Sequence, residues 1–156
     1  MKNTILSLTF ASYISAMSTS VVIAEEHKHQ HESHTAELAL NQGKKWSIDE
    51  SLHAGMSRIQ NDLKESLDSI HYDRFTAPEY AQLAEKMESH LGFLFKNCKL
   101  KPDADAQLHI LLSEVIQGTD LMKNSDNKKQ GAILIFKALK KYPDYFADPE
   151  WKAINH

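Results

Sequence analysis

The stretch SIDESLHAGMSRIQNDLKESLDSI, Ser47 to Ile70, decides the fold. Ile48, Leu52, Met56, Ile59, Leu63, Leu67 and Ile70 recur at spacings of three and four. That interval puts them on one stripe of an α-helix, with Arg58, Asp62, Lys64 and Glu65 off the stripe. Ser47-Ile48-Asp49-Glu50 has the form of a capping box, in which the Ser oxygen and the Glu side chain take up free amide donors of the first turn. A helix with such a stripe must bury it against something.

The partners follow along the chain. Thr76-Ala77-Pro78-Glu79 repeats the capping-box form, with Pro where a missing N–H costs least. Tyr80, Leu83, Met87, Leu91, Leu94 and Cys98 make a second stripe. Pro102 and Asp103 mark a break and a restart, and Ala104, Leu108, Leu111, Leu112, Val115, Thr119 and Met122 make a third. After Lys123-Asn124-Ser125-Asp126-Asn127, a fourth helix is expected over roughly residues 126–142, carrying Ala132 to Phe136 and Leu139 and ended by Pro143. Tyr145, Phe146 and Trp151 lie beyond it and are expected to fold back over a bundle end, leaving an apolar patch. Five glycines, four prolines and no lasting alternation argue against a sheet. Four stripes joined by short loops predict an all-α, antiparallel up-down-up-down four-helix bundle over residues 46–156.

The segment before the bundle has a different character. Met1-Lys2-Asn3 precedes the mostly apolar run from Ile5 to Ala24, with small residues at Val22 and Ala24 and no acid before Glu25. That is the pattern of a secretory signal peptide over residues 1–24, cut after Ala24, and it predicts a periplasmic or secreted protein with no membrane segment once the signal is removed. Residues 25–45 read as a flexible polar leader, with a short helical piece around Ala36 to Leu40.

Removing residues 1–24 takes away Lys2 and no acid, so the formal charge moves from -3 to -4. A mildly acidic domain argues against nucleic acid as a partner. Cys98 is the only cysteine, which excludes an internal disulfide. It reads as a buried thiol, with an intermolecular bridge or a ligand role as the alternatives.

The leader carries the strongest chemical signal. EEHKHQHESH, Glu25 to His34, holds four of the nine histidines. His27, His29, His31 and His34 with the neighbouring acids read as a metal-binding tract, because neutral imidazole is a good donor to copper, nickel and zinc. A mature chain starting Glu25-Glu26-His27 would offer a free amine, two backbone nitrogens and a third-position imidazole in one plane, a set suited to Cu(II) or Ni(II). A weaker ligand set comes from folding the helices about loops near residues 73, 100 and 125. Equal levels then bring His53, Met56, His90, His109 and Tyr142 to one height inside the bundle.

Catalytic patterns are missing: there is no Gly-x-Ser-x-Gly, no His-Glu-x-x-His and no phosphate-cradling glycine loop. The chain is expected not to be an enzyme.

Two resemblances add to this reading. GMSRIQNDLKESL, Gly55 to Leu67, resembles the Met-bearing first helix of soluble b-type cytochromes, which would imply a bundle-type electron carrier. Their second haem ligand is a His of the last helix, and KALKKYPDYF has none. NCKLKPDADAQLH, Asn97 to His109, with LNQGKKW, Leu40 to Trp46, and ADPEW, Ala147 to Trp151, resembles a family of small exported bacterial helical proteins sometimes labelled DnrO-like. That resemblance implies a periplasmic helical protein and assigns no catalytic residues. The function expected is metal capture by the leader. The alternative is a helical interaction or stress-related module, meeting another protein or a second copy through the aromatic tail or Cys98.

Overall fold

The computed structural model describes residues 37–155. Four helices dominate it: α1, Glu50–His71; α2, Ala77–Asn97; α3, Pro102–Asn124; and α4, Lys128–Tyr145. Each packs on its neighbour in sequence and α1 meets α4, so the four close into a bundle. The expected stripes form its interior. Leu52, Met56, Ile59 and Leu63 of α1 are fully buried, as are Leu111 and Val115 of α3 and Ile135 and Leu139 of α4. Among the described residues no helix is long and apolar enough to cross a membrane.

The start of α1 differs from the capping box expected at Ser47. Asp49 caps it, with Oδ1 accepting from Leu52 N at 2.7 Å, while its Oδ2 accepts from Lys99 N at 2.6 Å. One carboxylate thus caps α1 and pins the α2–α3 turn to it. Ser47 lies two residues before the cap, in the short strand β1, Trp46–Ser47, which pairs in parallel with β2, Phe146–Ala147. Two-residue strands are too short to leave an alternation in the sequence. At α2 the box forms as expected, with Glu79 Oε2 accepting from Thr76 N at 2.7 Å.

The expected stop at Pro143 is also corrected, since α4 runs through it to Tyr145. Proline breaks a helix by removing one amide donor and crowding the turn before it. In the last turn little helix remains to lose, and Phe146 N still reaches Tyr142 O. Part of the expected leader is ordered too. Asn41 and Lys44 exchange backbone hydrogen bonds of 2.8 and 2.9 Å around Gln42 and Gly43, both at positive φ, as a tight hairpin turn requires. Leu38 packs on the core, Ala39 N donates to Gln107 Oε1 at 2.7 Å, and Ala39 O accepts from Trp46 Nε1 at 2.7 Å. Residues 37–40 carry no helix, so the short helix expected there does not form within them.

The aromatic tail folds back as expected but leaves no patch. Phe146 is 1% exposed and stacks on Tyr142 with ring centres 5.3 Å apart. Trp151 leans on the same ring at 4.6 Å, and Ile154 is buried. Gln60 Nε2 donates to Lys152 O at 2.8 Å, so the tail lies along α1 as a strap. Among the described residues the large apolar side chains left in solvent are elsewhere: Leu40, Tyr72, Phe95 and Ile116.

Candidate functional site

Glu25, His27, His29, His31 and His34 lie outside the described residues. The bundle histidines lie within them and do not converge. Met56 is fully enclosed in core, with no exposure. His109 sits half exposed on α3, its Nδ1 2.9 Å from Asp105 O, its ring stacked 5.6 Å from Phe95 of α2. His90 of α2 turns to α1, with Nε2 2.6 Å from Asp62 Oδ2. His53 of α1 turns to the tail, with Nδ1 2.9 and 3.0 Å from the two oxygens of Asp148. Among the described residues no group of three or more His, Cys, Asp or Glu is placed to hold a metal ion. The interior ligand set expected from matched levels is therefore not assembled. Loop position fixes height along the bundle axis, but rotation about each helix decides where a ring points.

Asp148 is the residue the sequence reading missed. Its side chain is 1% exposed, and three donors make four contacts with it: His53 Nδ1 on both oxygens, Tyr142 Oη on Oδ2 at 3.1 Å, and Glu150 N on Oδ1 at 3.2 Å. The only sequence signal was ADPEW, where an Asp before Pro suggests a turn. The matched levels did bring His53 and Tyr142 together, but through this carboxylate. Because Asp148 accepts at Nδ1, the other ring nitrogen of His53 faces Glu150, 3.7 Å away, at the wall of a shallow cleft also bordered by Glu50. The geometry orients one imidazole. It fixes the tail to α1. Burial, with the negative charge of Asp148 next, pushes the Tyr142 phenol well up, so it stays a donor.

Asp62 is a second hub, taking Lys86 Nζ on Oδ1 at 2.8 Å as well as His90. Burial alone would push this carboxyl up; hydrogen bonds from Lys86 and His90, with their charges, outweigh it and hold the group below its ordinary value. A carboxyl depressed in the folded state stabilises the fold above its unfolded value of 3.8, and that contribution is lost as pH falls through the lower folded value. Asp62→Asn should therefore lose stability at neutral pH and show a shallower fall in melting temperature below about pH 4 than the parent chain. Parallel acid limbs in the two proteins would contradict this.

Cys98 is half-buried at the end of α2. Burial, followed by the negative charges of Asp49 and Asp105, pushes its thiol up to about 12. The thiolate is the reactive species, so at pH 8 Cys98 should react with iodoacetamide about a thousandfold more slowly than an ordinary thiol. Alkylation followed by mass spectrometry checks this, with the urea-unfolded chain as the reactive control. Labelling of the folded chain at the unfolded rate would refute it.

Comparison with protein-family models, with curated proteins and with solved structures gave no match.

Proposed function

We propose that this chain is an exported, non-catalytic metal-binding protein, in which the imidazoles of the leader capture copper, nickel or zinc and the bundle is their carrier. What carries the reading is the tract Glu25 to His34, four imidazoles in ten residues among three acids. Export rests on the signal-like segment before it. Capture is equilibrium coordination by neutral rings, so uptake weakens as pH falls toward about 6. Imidazole suits all three of these metals, so little selectivity among them is expected.

The test is a calorimetric copper titration of the chain beginning at Glu25 against the same chain with His27, His29, His31 and His34 changed to Asn. The parent is expected to take up copper tightly and the substituted chain to lose that uptake. Equal affinity and stoichiometry would overturn the proposal. A chain shortened to begin at Thr35 makes a second arm, because it keeps the docked residues Leu38 and Ala39.

One observation favours the alternative of an interaction module. Phe95 is 50% exposed, its ring stacked on His109, and Ile116 on the same pair of helices is 44% exposed. An electron carrier is the weakest reading, since α4 contains no His to pair with Met56.

A further inference from the structure

The α1–α4 pair forms the thinnest seam of the bundle. At the His53 end the strap fills it, through Asp148 on His53 and Lys152 on Gln60. At the other end none of the described residues does, and a half-open cleft of about 210 Å³ lies between them. Leu67, Ile70, Ala132, Ile133 and Phe136 give it a largely apolar wall, and its polar lining residues are Lys129 and His71. A cavity of about 150 Å³ lined by such side chains takes a benzene ring, so this cleft has room for a short alkyl chain or one ring with substituents.

The charge at the rim selects among apolar molecules. Lys129 is the second residue of α4, whose first turn holds no acid and whose cap residue Asn127 makes no side-chain cap bond. The first turn thus sets two lysines, Lys128 and Lys129, at the positive end of the helix dipole, with Asp126 just before the cap and Asp73 facing Lys129. Lys129 Nζ does have partners: Asp73 Oδ1 at 2.6 Å and His71 O at 3.1 Å. Asp73 is 78% exposed, and exchange of so exposed an ion pair for another carboxylate costs little. Lys128 is turned away onto Met122 O and Lys123 O.

We infer that the cleft between α1 and α4 binds small amphiphilic carboxylates, with the alkyl or aryl body between Ile70, Ala132 and Phe136 and the carboxylate on Lys129. This site is separate from the leader and stands whether or not the leader holds metal. The cleft is half-open and the ion pair exposed, so binding is weak, with a dissociation constant of roughly 0.1–1 mM for an eight-carbon chain.

The test uses the chain from Glu25 onward with labelled Ile and Ala methyls, titrated by NMR with octanoate, octan-1-ol and octylamine. Octanoate should shift the Ile70, Ala132 and Ile133 methyls saturably, and bind about two- to fivefold more tightly than octanol. Octylamine should be the weakest. Lys129→Gln should bring octanoate down to the octanol level and leave octanol unchanged. Ile133→Trp, which places bulk at the mouth, should abolish the shifts while the helical circular dichroism persists; Lys129→Gln keeps the test decisive if that variant fails to fold. No saturable shift with octanoate, octylamine binding as well as octanoate, or an unaltered octanoate affinity in Lys129→Gln would each overturn the inference.

Discussion

Gly131→Ala should destabilise the fold by about 2 kcal/mol or more, and lower the melting temperature by about 8 °C. The reason is the crossing of α3 and α4. A Cβ on Gly131 would run into the backbone oxygen of Gly118 and come within 2.8 Å of Met122 N and Cγ; a Cβ on Gly118 would meet Gly131 O in return. Backbone cannot rotate away as a side-chain tip can, so the helices must move apart. Overpacking of that kind typically costs about 1–3 kcal/mol and occasionally more. Alanine's better helix propensity returns about 1 kcal/mol, which is too little to reverse the sign when the obstacle is main chain. Gly92 is the internal control. It is also helical, but a Cβ there meets nothing within 4 Å. Gly92→Ala should therefore gain up to about 1 kcal/mol from the same propensity term. Urea unfolding of the two variants separates these cases by sign. If both substitutions stabilise, the close α3–α4 crossing is wrong.

Asp148→Ala should cost about 2–4 kcal/mol and release the strap. The substitution strips Tyr142 Oη of its acceptor in a position with no solvent exposure, and takes the partner from His53 Nδ1. Tyr142 carries most of the penalty. The His53 side chain is 30% exposed and can turn to water instead. Asp148→Asn keeps an acceptor oxygen and loses the charge, so it should cost about half as much. Two readouts test the account: urea unfolding for the energy, and amide hydrogen exchange over residues 146–154 for the release. Phe146 and Ile154 are buried only because the strap is docked, so their segment should exchange faster at all denaturant concentrations below the main transition. In Tyr142→Phe the Asp148→Ala penalty should shrink, because the stranded hydroxyl is gone. An Asp148→Ala protein with parental stability and exchange would show that the carboxylate does not hold the strap.

The two residues at issue differ in how far the sequence announced them. Gly118 and Gly131 lie in helices whose apolar spacing is plain in the sequence, yet a glycine in a helical pattern gives no sign of which backbone approaches it. Asp148 lies in a segment with no periodicity at all. Its neighbours Phe146 and Trp151 were read as apolar and folding back, which they are, but the hydrogen bonds that fasten them join residues up to 95 positions apart. The histidines show the same division. Matching levels about the loops placed His53 beside Tyr142 correctly, since rise per residue is fixed by the helix. It did not place His90 or His109 with them, since a turn of 100° per residue sends adjacent positions to different faces.

The amino-acid order by itself determined the four helices, their antiparallel succession and the make-up of the interior, and it sets an imidazole-rich tract ahead of them in the chain. Those are local properties: a three-and-four spacing of apolar side chains, capping residues, and composition. Only the tertiary structure decided that α1 is capped by Asp49 and not through Ser47, that α4 carries Pro143 in its last turn, that the tail is strapped by Asp148, and that the described residues leave a cleft beside Lys129. Each of these depends on which distant group arrives within about 3 Å, and that is set by the rotation and spacing of packed helices, quantities that no local pattern encodes.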